Sequence, residues 1–416
     1  MSCRNSRVTL FAILYMKIGN PFFMIDFFSR SLLSQPVVMA TSDDMLLDVC
    51  SWLPAKSIYK FKIVSRLFSD FAKETYFISK QTQNALLKDD TCFFIQQDAF
   101  LRGNNEFYHL RGKKLSSGVS NDVLQFLSNS AKILASSNGL ILYQTIHQNR
   151  VALFISNPAT KFWLSIPTPK PVSENPYADI KISLKCDLDD CMMFLFYTCP
   201  DDWYSYYCKV YLFKEGVWKD KEEKFFGGGR NLIFDAPVHH NGVIYFISDS
   251  FPYVERESVY FKPYIMSYDL NNGKSRNLKV AKEARRGSHD FSCEMRIFNW
   301  GKITSSNRSI CLVRLRKSVF TIWVLMKYES SLWRKILKVR VKAMGIIEED
   351  PIVTGFTVLN GDLLIFATKK KVYSYGLKDE QYMRIQEIGE HECESNVSFI
   401  SYSSTLRTCD VKVENL

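Results

Sequence analysis

Residues able to do chemistry are spread thinly along the chain, and none stands at the spacing that chemistry needs. Adjacent carboxylates occur at Asp189-Asp190 and Asp201-Asp202, where a pair could share a metal or divide acid and base roles. Neighbouring aspartates more often shape turns, because their side chains bond to backbone nearby. Cys186, Cys191, Cys199 and Cys208 are the densest group among 11 cysteines. They include no CxxC pair, and their gaps match no zinc-ligand spacing. His391 and Cys393 are close but lack a second pair. Gly227-Gly228-Gly229-Arg230 fits neither GxGxxG nor a Walker loop. Asn231-Leu232-Ile233-Phe234 behind it reads as strand, so no helix N-terminus awaits a phosphate. Neither GxSxG nor HExxH occurs. No catalytic residue, metal site or cofactor is therefore expected, and the thiols read as reduced and mostly buried. An enzyme centre gathered from several distant segments would leave no linear motif, so that reading stays open.

The elements that would have to position such residues are mostly strands. The chain has 416 residues, of which 46% are hydrophobic and 14% aromatic, with Phe 31 and Tyr 21. Aromatic side chains favour a pleated, half-buried surface. Only 23% are charged, and no low-complexity tract appears, which excludes a mainly disordered chain. The net charge is +11 and the isoelectric point about 9.0. A basic balance can serve nucleic acid, but these cations are dispersed. In the densest run, Arg334–Lys342, Leu337, Val339 and Val341 alternate with Lys338, Arg340 and Lys342. That is the wet face of a strand, so nucleic acid is not the expected partner. Val8–Met16 is an apolar run broken at Lys17, far short of the roughly 20 residues a bilayer needs. No membrane association or secretion is expected, and the protein should work in the cytoplasm or nucleus. Residues 1–38 are expected to be an extension, disordered or not native.

From Met39 the pattern becomes orderly. Thr41 and Asp44 have capping-box spacing, and Leu46, Val49, Cys50 and Leu53 follow on one helical face. Pro54 ends that helix. Ile58, Phe61 and Val64 mark a second helix, and Leu67, Phe68 and Phe71 a third, capped by Ser65. After about Lys88 the period switches to strand. Short aromatic and branched runs follow at Cys92–Gln97, Glu106–Leu110, Leu140–Ile146, Val151–Ser156, Met192–Tyr197 and Val243–Ile247. No long amphipathic helix separates them, which argues against alternating α/β units.

The strands repeat. Asn138-Gly139, Asn241-Gly242 and Asn360-Gly361 each precede an apolar run, with weaker counterparts at Asp190 and Gly301. Asn-Gly is a strong hairpin signal because both residues tolerate positive φ. About four strands recurring every 50–60 residues is the period of a propeller blade. A leading unit near Cys92–Leu110 would make six blades, and Asn396–Ser401 would close the ring by pairing with it. The connections between second and third strands then share one face: His147–Arg150, Pro200–Tyr207, Asp249–Pro263, Arg316–Ser318 and Lys369–Lys370. Two are long and aromatic, and loop aromatics are typical of binding hot spots. Trp203, Tyr204, Tyr206, Tyr253 and Tyr260 are therefore the candidate target-binding residues, with Lys369 and Lys370 selecting an acidic partner.

The segment Asp43-Asp44-Met45-Leu46-Leu47-Asp48-Val49-Cys50-Ser51-Trp52-Leu53-Pro54-Ala55-Lys56-Ser57-Ile58, continued by Phe61-Lys62-Ile63-Val64-Ser65-Arg66-Leu67-Phe68, resembles a plant-type F-box. Later Ser-Asn-Gly-Leu, Asn-Pro-Ala-Thr and Ile-Trp-Val segments resemble the F-box-associated, kelch-like or β-propeller interaction region. The resemblance implies a small all-α F-box of three short helices over residues 39–80. A large all-β domain over residues 88–405 follows, a β-propeller of about six blades. It further implies the substrate-recognition subunit of an SCF-type ubiquitin ligase, itself non-catalytic. Met45, Leu46, Val49, Leu53, Pro54, Val64 and Phe68 would contact a Skp-type adaptor, and through it a cullin; the protein substrate is unknown. Two departures stand out. Thr41-Ser42 replaces the family's Leu-Pro, and Phe68 replaces its usual tryptophan. Each removes part of the about 1.5–3 kcal/mol a large buried side chain contributes. Alternatives are a scaffold that binds an adaptor without ligase function, a degenerate member, or a propeller enzyme.

Overall fold

A computed structural model describes residues 43–64, 66–88, 92–97, 105–110, 121–148, 150–169, 172, 181–187, 190–199, 201–221, 224–250, 253–290, 292–301, 308–377 and 385–409. The expected extension, Thr41, Ser42 and Ser65 lie outside them. The chain divides into two compact units, Met1–Leu46 and Leu47–Leu416; nearly everything described belongs to the second.

Among the described residues four helices come first: α1 (Asp43–Cys50), α2 (Ala55–Val64), α3 (Arg66–Phe71) and α4 (Thr75–Leu86). Leu53-Pro54 interrupts the first two, as expected from proline's constraint on the preceding residue. The fourth is an addition to the three read from sequence. Its inward side is largely polar, with Phe77, Gln81, Thr82 and Asn84 buried. Asn84 Nδ2 donates to Ser51 Oγ at 2.7 Å, and Gln81 Nε2 to the Leu53 carbonyl at 3.2 Å. α4 thus satisfies polar groups left at the end of α1. The apolar core of the helical unit is a run of rings. Phe61 lies 5.1 Å from Phe68, Phe68 6.2 Å from Phe71, and Phe71 5.5 Å from Phe77.

The remainder is a β-propeller of six blades. Blade 1 contains β1 (Cys92–Gln97) and β2 (Asn105–His109). After the short helix α5 (Asn121–Ser130), blade 2 is built from β3 (Lys132–Ser137), β4 (Leu140–His147), β5 (Arg150–Asn157) and β6 (Phe162–Ile166). Blade 3 has β7 (Lys181–Cys186), β8 (Cys191–Cys199), β9 (Asp202–Leu212) and β10 (Val217–Asp220), with the two-residue β11 (Phe225–Phe226) added to β9. Blade 4 comprises β12 (Leu232–His240), β13 (Val243–Ser248), β14 (Tyr264–Asp269) and β15 (Ser275–Lys279). Blade 5 comprises β16 (Cys293–Trp300), β17 (Ser309–Arg316), β18 (Val319–Lys327) and β19 (Leu332–Arg340). Blade 6 comprises β20 (Val353–Leu359), β21 (Leu363–Thr368), β22 (Lys371–Gly376) and β23 (Ile385–Glu390). The last strand, β24 (Val397–Tyr402), pairs antiparallel with β1 from Cys92↔Tyr402 to Gln97↔Val397. It therefore supplies the innermost strand of blade 1. The innermost strands β24, β3, β7, β12, β16 and β20 neighbour one another around a closed ring.

Strand period explains the packing. Alternate residues of one strand point to opposite faces, and in this ring each face meets a different blade. Leu312 packs toward blade 4, whereas Cys311 and Val313 pack toward blade 6. Six apolar layers result, one between each pair of neighbours. That is why second strands such as β13 and β21 read as nearly unbroken apolar runs rather than as alternating ones. The Asn-Gly repeats are the turns from first to second strand. Asn138 and Gly139 have φ of 52° and 83°, Asn241 and Gly242 49° and 76°, Asn360 and Gly361 55° and 70°.

A polar contact stitches blade 6 to blade 1 beside the closing ladder. The buried His391 places Nδ1 2.9 Å from Glu106 Oε2. The Tyr108 hydroxyl donates to the same carboxylate and lies 2.7 Å from the Glu390 carbonyl. Burial alone would raise the Glu106 carboxyl, but the bonds from His391 and Tyr108 outweigh it and hold it below its ordinary value. A carboxyl held low contributes stability that is complete above the ordinary glutamate range and lost as pH falls through the folded value. Glu106→Gln should therefore lower the urea midpoint at about pH 7, and the gap from wild type should narrow below about pH 4.5. A gap equal at both pH values would remove the charge from this account.

Candidate functional site

The two faces of the ring differ in what covers them. Turns from first to second strand lie on one face, where β24 also ends. Residues 403–409 continue across that face. Thr405 Oγ1 donates to the Asn138 carbonyl at 3.0 Å, and Asn157 Nδ2 donates to the Thr405 and Arg407 carbonyls, each at 2.8 Å. Leu406 N donates to Gln81 Oε1 at 2.9 Å. The fully buried Gln81 amide thus joins α1, α4 and the propeller through both of its ends. The helical unit is fastened to this face, which leaves the opposite face, with the second-to-third-strand connections, as the candidate binding surface.

That opposite face is organised by a motif with no phosphate role. Arg230 has a wholly buried side chain. Its Nε donates to the Tyr260 carbonyl at 2.9 Å and Nη2 to the Phe261 carbonyl at 2.6 Å. Its Nη1 lies 3.3 Å from the Asp249 carbonyl and 3.4 Å from Asp249 Oδ1. Three backbone carbonyls and a carboxylate from the blade 4 connection therefore converge on one planar cation, whose fork of donors suits that task. The glycines before it make room. A Cβ on Gly227 would meet the Tyr206 ring at 2.4 Å, and one on Gly228, at φ +91°, the Tyr264 hydroxyl at 2.1 Å. Tyr253 completes the arrangement. Its hydroxyl accepts from Asn231 N at 2.9 Å and lies 3.2 Å from Asp249 Oδ1. Burial holds the Asp249 carboxyl above its ordinary range despite Arg230 and Tyr253.

The expected target-binding residues are only partly brought together. Pro200–Tyr207 is not a long loop: β9 begins at Asp202, which pairs with Cys199. The strand alternates, so Tyr206 points inward, 3% exposed, 5.6 Å from Phe225. Tyr206 is core and cannot offer its ring to a partner. Tyr204 is 53% exposed, and the side chain of Trp203 lies outside the described residues. The connection after β13 is long and irregular, as expected. Tyr253 is 47% exposed on it, while Tyr260 is half-buried and 5.7 Å from the exposed Phe226. Val259 and Phe226 were not anticipated, and both are exposed beside these rings. Arg256 and Lys262 are exposed on the same connection. Lys369 is ion-paired with Glu394, whereas Lys370 is exposed.

On the helical unit, Met45, Trp52 and Ile63 are exposed, Ile63 to 80%. Val49 and Pro54 are half-buried, Leu53 is buried, and Phe68 is 0% exposed. Phe68 therefore belongs to the ring core and is not a surface contact. The side chains of Leu46 and Val64 lie outside the described residues. The aspartates act as turn formers: Asp202 accepts from Ser205 Oγ at 2.6 Å, and Asp190 Oδ1 from Cys191 N at 2.8 Å. Among the described residues no cluster of His, Cys, Asp or Glu is arranged to hold a metal, and no helix is long and apolar enough to cross a membrane.

Fold and surfaces define a six-bladed propeller that follows an N-terminal set of helices. The family model described as F-box protein At3g26010-like, β-propeller, matches residues 108–414, and the chain belongs to that family of plant F-box/propeller proteins. It is 21% identical over 353 residues to F-box protein At5g49610 of Arabidopsis thaliana, covering 80% of this chain and 87% of that one. Among solved structures, TolB from Acinetobacter baumannii is 13% identical, with a TM-score of 0.42 over 75% of this chain and 66% of that one. A chain of a nidogen/laminin complex is 11% identical, with a TM-score of 0.40 over 76% of this chain and 99% of that one.

Arg230→Met should cost about 2–4 kcal/mol, because it takes away the one donor group shared by three backbone carbonyls and the Asp249 carboxylate. Hydrogen exchange should rise across residues 253–263 while the strands of blades 1 and 2 keep their protection. Uniform loosening of the ring would show that Arg230 does not act locally.

Proposed function

We propose that this chain is the substrate-recognition subunit of an SCF-type ubiquitin ligase. Its helical unit is an F-box that binds a Skp-type adaptor and so a cullin, and its propeller holds the target. The observation that carries the reading is the attachment of the helical unit, through Gln81 and Leu406, to the face bearing the first-to-second-strand turns. In this reading adaptor and target lie on different faces of the propeller. Family membership supports the same division of labour. No bond is made or broken by this chain; its contribution is to hold a target lysine where transfer occurs, which raises effective concentration.

Exposed Trp52 and Ile63, with half-buried Val49 and Pro54, form the adaptor contact. Tyr204, Phe226, Tyr253 and Val259, rimmed by Arg256 and Lys262, form the target contact on the opposite face. Exposed rings at the centre of a patch and charges at its edge are the usual division between affinity and partner choice. Trp52→Ala with Ile63→Glu should abolish co-purification of adaptor and cullin while leaving target capture intact. Tyr253→Ala with Val259→Asp should do the reverse, each loss being on the order of tenfold or more. Loss of both partners in either variant, without unfolding, would sink the two-sided reading. Adaptor binding without cullin would favour the scaffold alternative.

A further inference from the structure

No single run of the sequence is dense in cations, yet their excess has a place in the ring. Residues 274–342, which hold β15 and all of blade 5, carry 18 Lys and Arg against 4 Asp and Glu. The rest of the chain carries 36 against 39, so the whole positive balance of the molecule sits on one sector. Like charges gathered in this way repel one another and oppose compaction. A partner of opposite sign relieves that cost.

The local structure turns several of these cations to one side of β19. Register shifts between Trp323↔Lys335 and Ile322↔Leu337, which leaves Ile336 as the extra residue of a bulge. Before the bulge, Trp333 packs in the layer toward blade 4; after it, Leu337 and Val339 pack in the layer toward blade 6. Alternation therefore aims Lys335, Lys338 and Arg340 all toward blade 4. An uninterrupted strand would have sent Lys338 and Arg340 the other way. Beside them runs the connector from β15 to β16, pinned from two strands. Trp333 Nε1 donates to the Lys279 carbonyl at 2.8 Å, and Arg314 Nη1 donates to the Glu283, Ala284 and Arg286 carbonyls at 3.0, 3.1 and 3.2 Å. The connector presents exposed Lys282 and Arg286. Among the described residues Lys335 is paired with Glu283, while Lys282, Arg286, Lys338 and Arg340 make no ion pair.

Glu283 shows what this strip accepts. Lys335 Nζ donates to Glu283 Oε2 at 2.8 Å. That bond, with the charges of Lys338 and Arg286 nearby, holds the Glu283 carboxyl below its ordinary value. The connector joins a fourth strand to the next first strand, so it lies on the same face as the second-to-third-strand connections. It is continuous with the surface around Tyr253 and Val259, because His289 stacks on Phe261 at 3.9 Å between ring centres. Further round that face, exposed Glu349, Asp350, Glu392 and Glu394 would repel an extended polyanion, which favours a short acidic stretch of protein over nucleic acid. Resting on the target-holding role given above, we infer that Lys282, Arg286, Lys335, Lys338 and Arg340 dock an acidic segment of the target beside the apolar contact. Such cations choose the partner and speed its arrival more than they hold it. Glu283 occupies part of the strip until a target carboxylate displaces it.

The test is fluorescence anisotropy of the full chain, free of adaptor and cullin, with a labelled peptide of alternating Asp and Ser. The peptide should bind, and raising the ionic strength from low to physiological should weaken it strongly. Arg286→Glu with Lys338→Glu should weaken binding about tenfold or more, with circular dichroism unchanged. Glu283→Gln should tighten it severalfold, because the internal competitor is gone; a merely structural role for these residues predicts no gain. Failure of the ligase reading would leave these results standing, and failure here would leave co-purification of adaptor and cullin untouched. Equal binding of a peptide of alternating Asn and Ser would overturn the inference, and so would an unchanged affinity in the charge-reversed variant. Tighter binding of a single-stranded DNA oligomer with the same number of charges would also overturn it and give the strip to nucleic acid.

Discussion

The ladder between β1 and β24 joins residues up to 310 positions apart in sequence. Bringing such distant segments together is entropically expensive, although the cost grows only with the logarithm of the intervening length. What offsets it is the apolar surface of both terminal blades. Without β24, blade 1 would expose the faces of Phe93 and Phe94, which now pack toward blades 6 and 2 respectively. A blade cannot bury both of its own faces, so its neighbours have to supply the cover. Closure is therefore the condition under which all six layers are dry, and the Glu106–His391 contact lies on the same seam.

Closure also decides where the helical unit sits. β24 ends on the face that carries the Asn-Gly turns, and the chain beyond it is laid over those turns by Thr405, Asn157 and Arg407. Gln81 then reads both partners with a single amide, accepting from Leu406 N and donating to the Leu53 carbonyl. A buried glutamine is tolerable in such a place only because both of its ends are satisfied. The same segment brings Arg407 and Cys409 to blade 3. One short stretch thus connects ring closure and helix attachment.

Much of this was legible from residue types. Asn-Gly pairs announced turns that need positive φ, and their spacing announced blades; the apolar-polar run at Asn396–Ser401 announced the closing strand. What escaped was structure made by polar groups in apolar places. The inward stripe of α4 includes Gln81, Thr82 and Asn84, so an apolar period could not find it. Arg230 was invisible because a buried cation has no sequence signature, although three glycines before an arginine hinted at close approach by bulky neighbours. Tyr206 was misplaced because aromatic density was weighed without strand alternation, which sends Tyr204 out and Tyr206 in. Phe68 was assigned outward by family analogy, yet with Phe61 and Phe71 nearby a small unit needs its rings for its own core.

The order of attachments along the last described residues has a mechanical meaning. Tension applied beyond Cys409 would be borne first by the bonds of Arg407 to Asp190 and of Asn157 to the Arg407 carbonyl. The Leu406–Gln81 bond would yield next, then the bonds of Thr405 to Asn157 and Asn138, and only then would load reach the six paired residues of β24. A molecular motor pulling from that end would therefore free the helical unit from the propeller before it opened the ring. Pulling from the helices would load the Gln81 clamp directly and leave β24 in place. The same protein would thus come apart by two different routes, depending on which end is gripped.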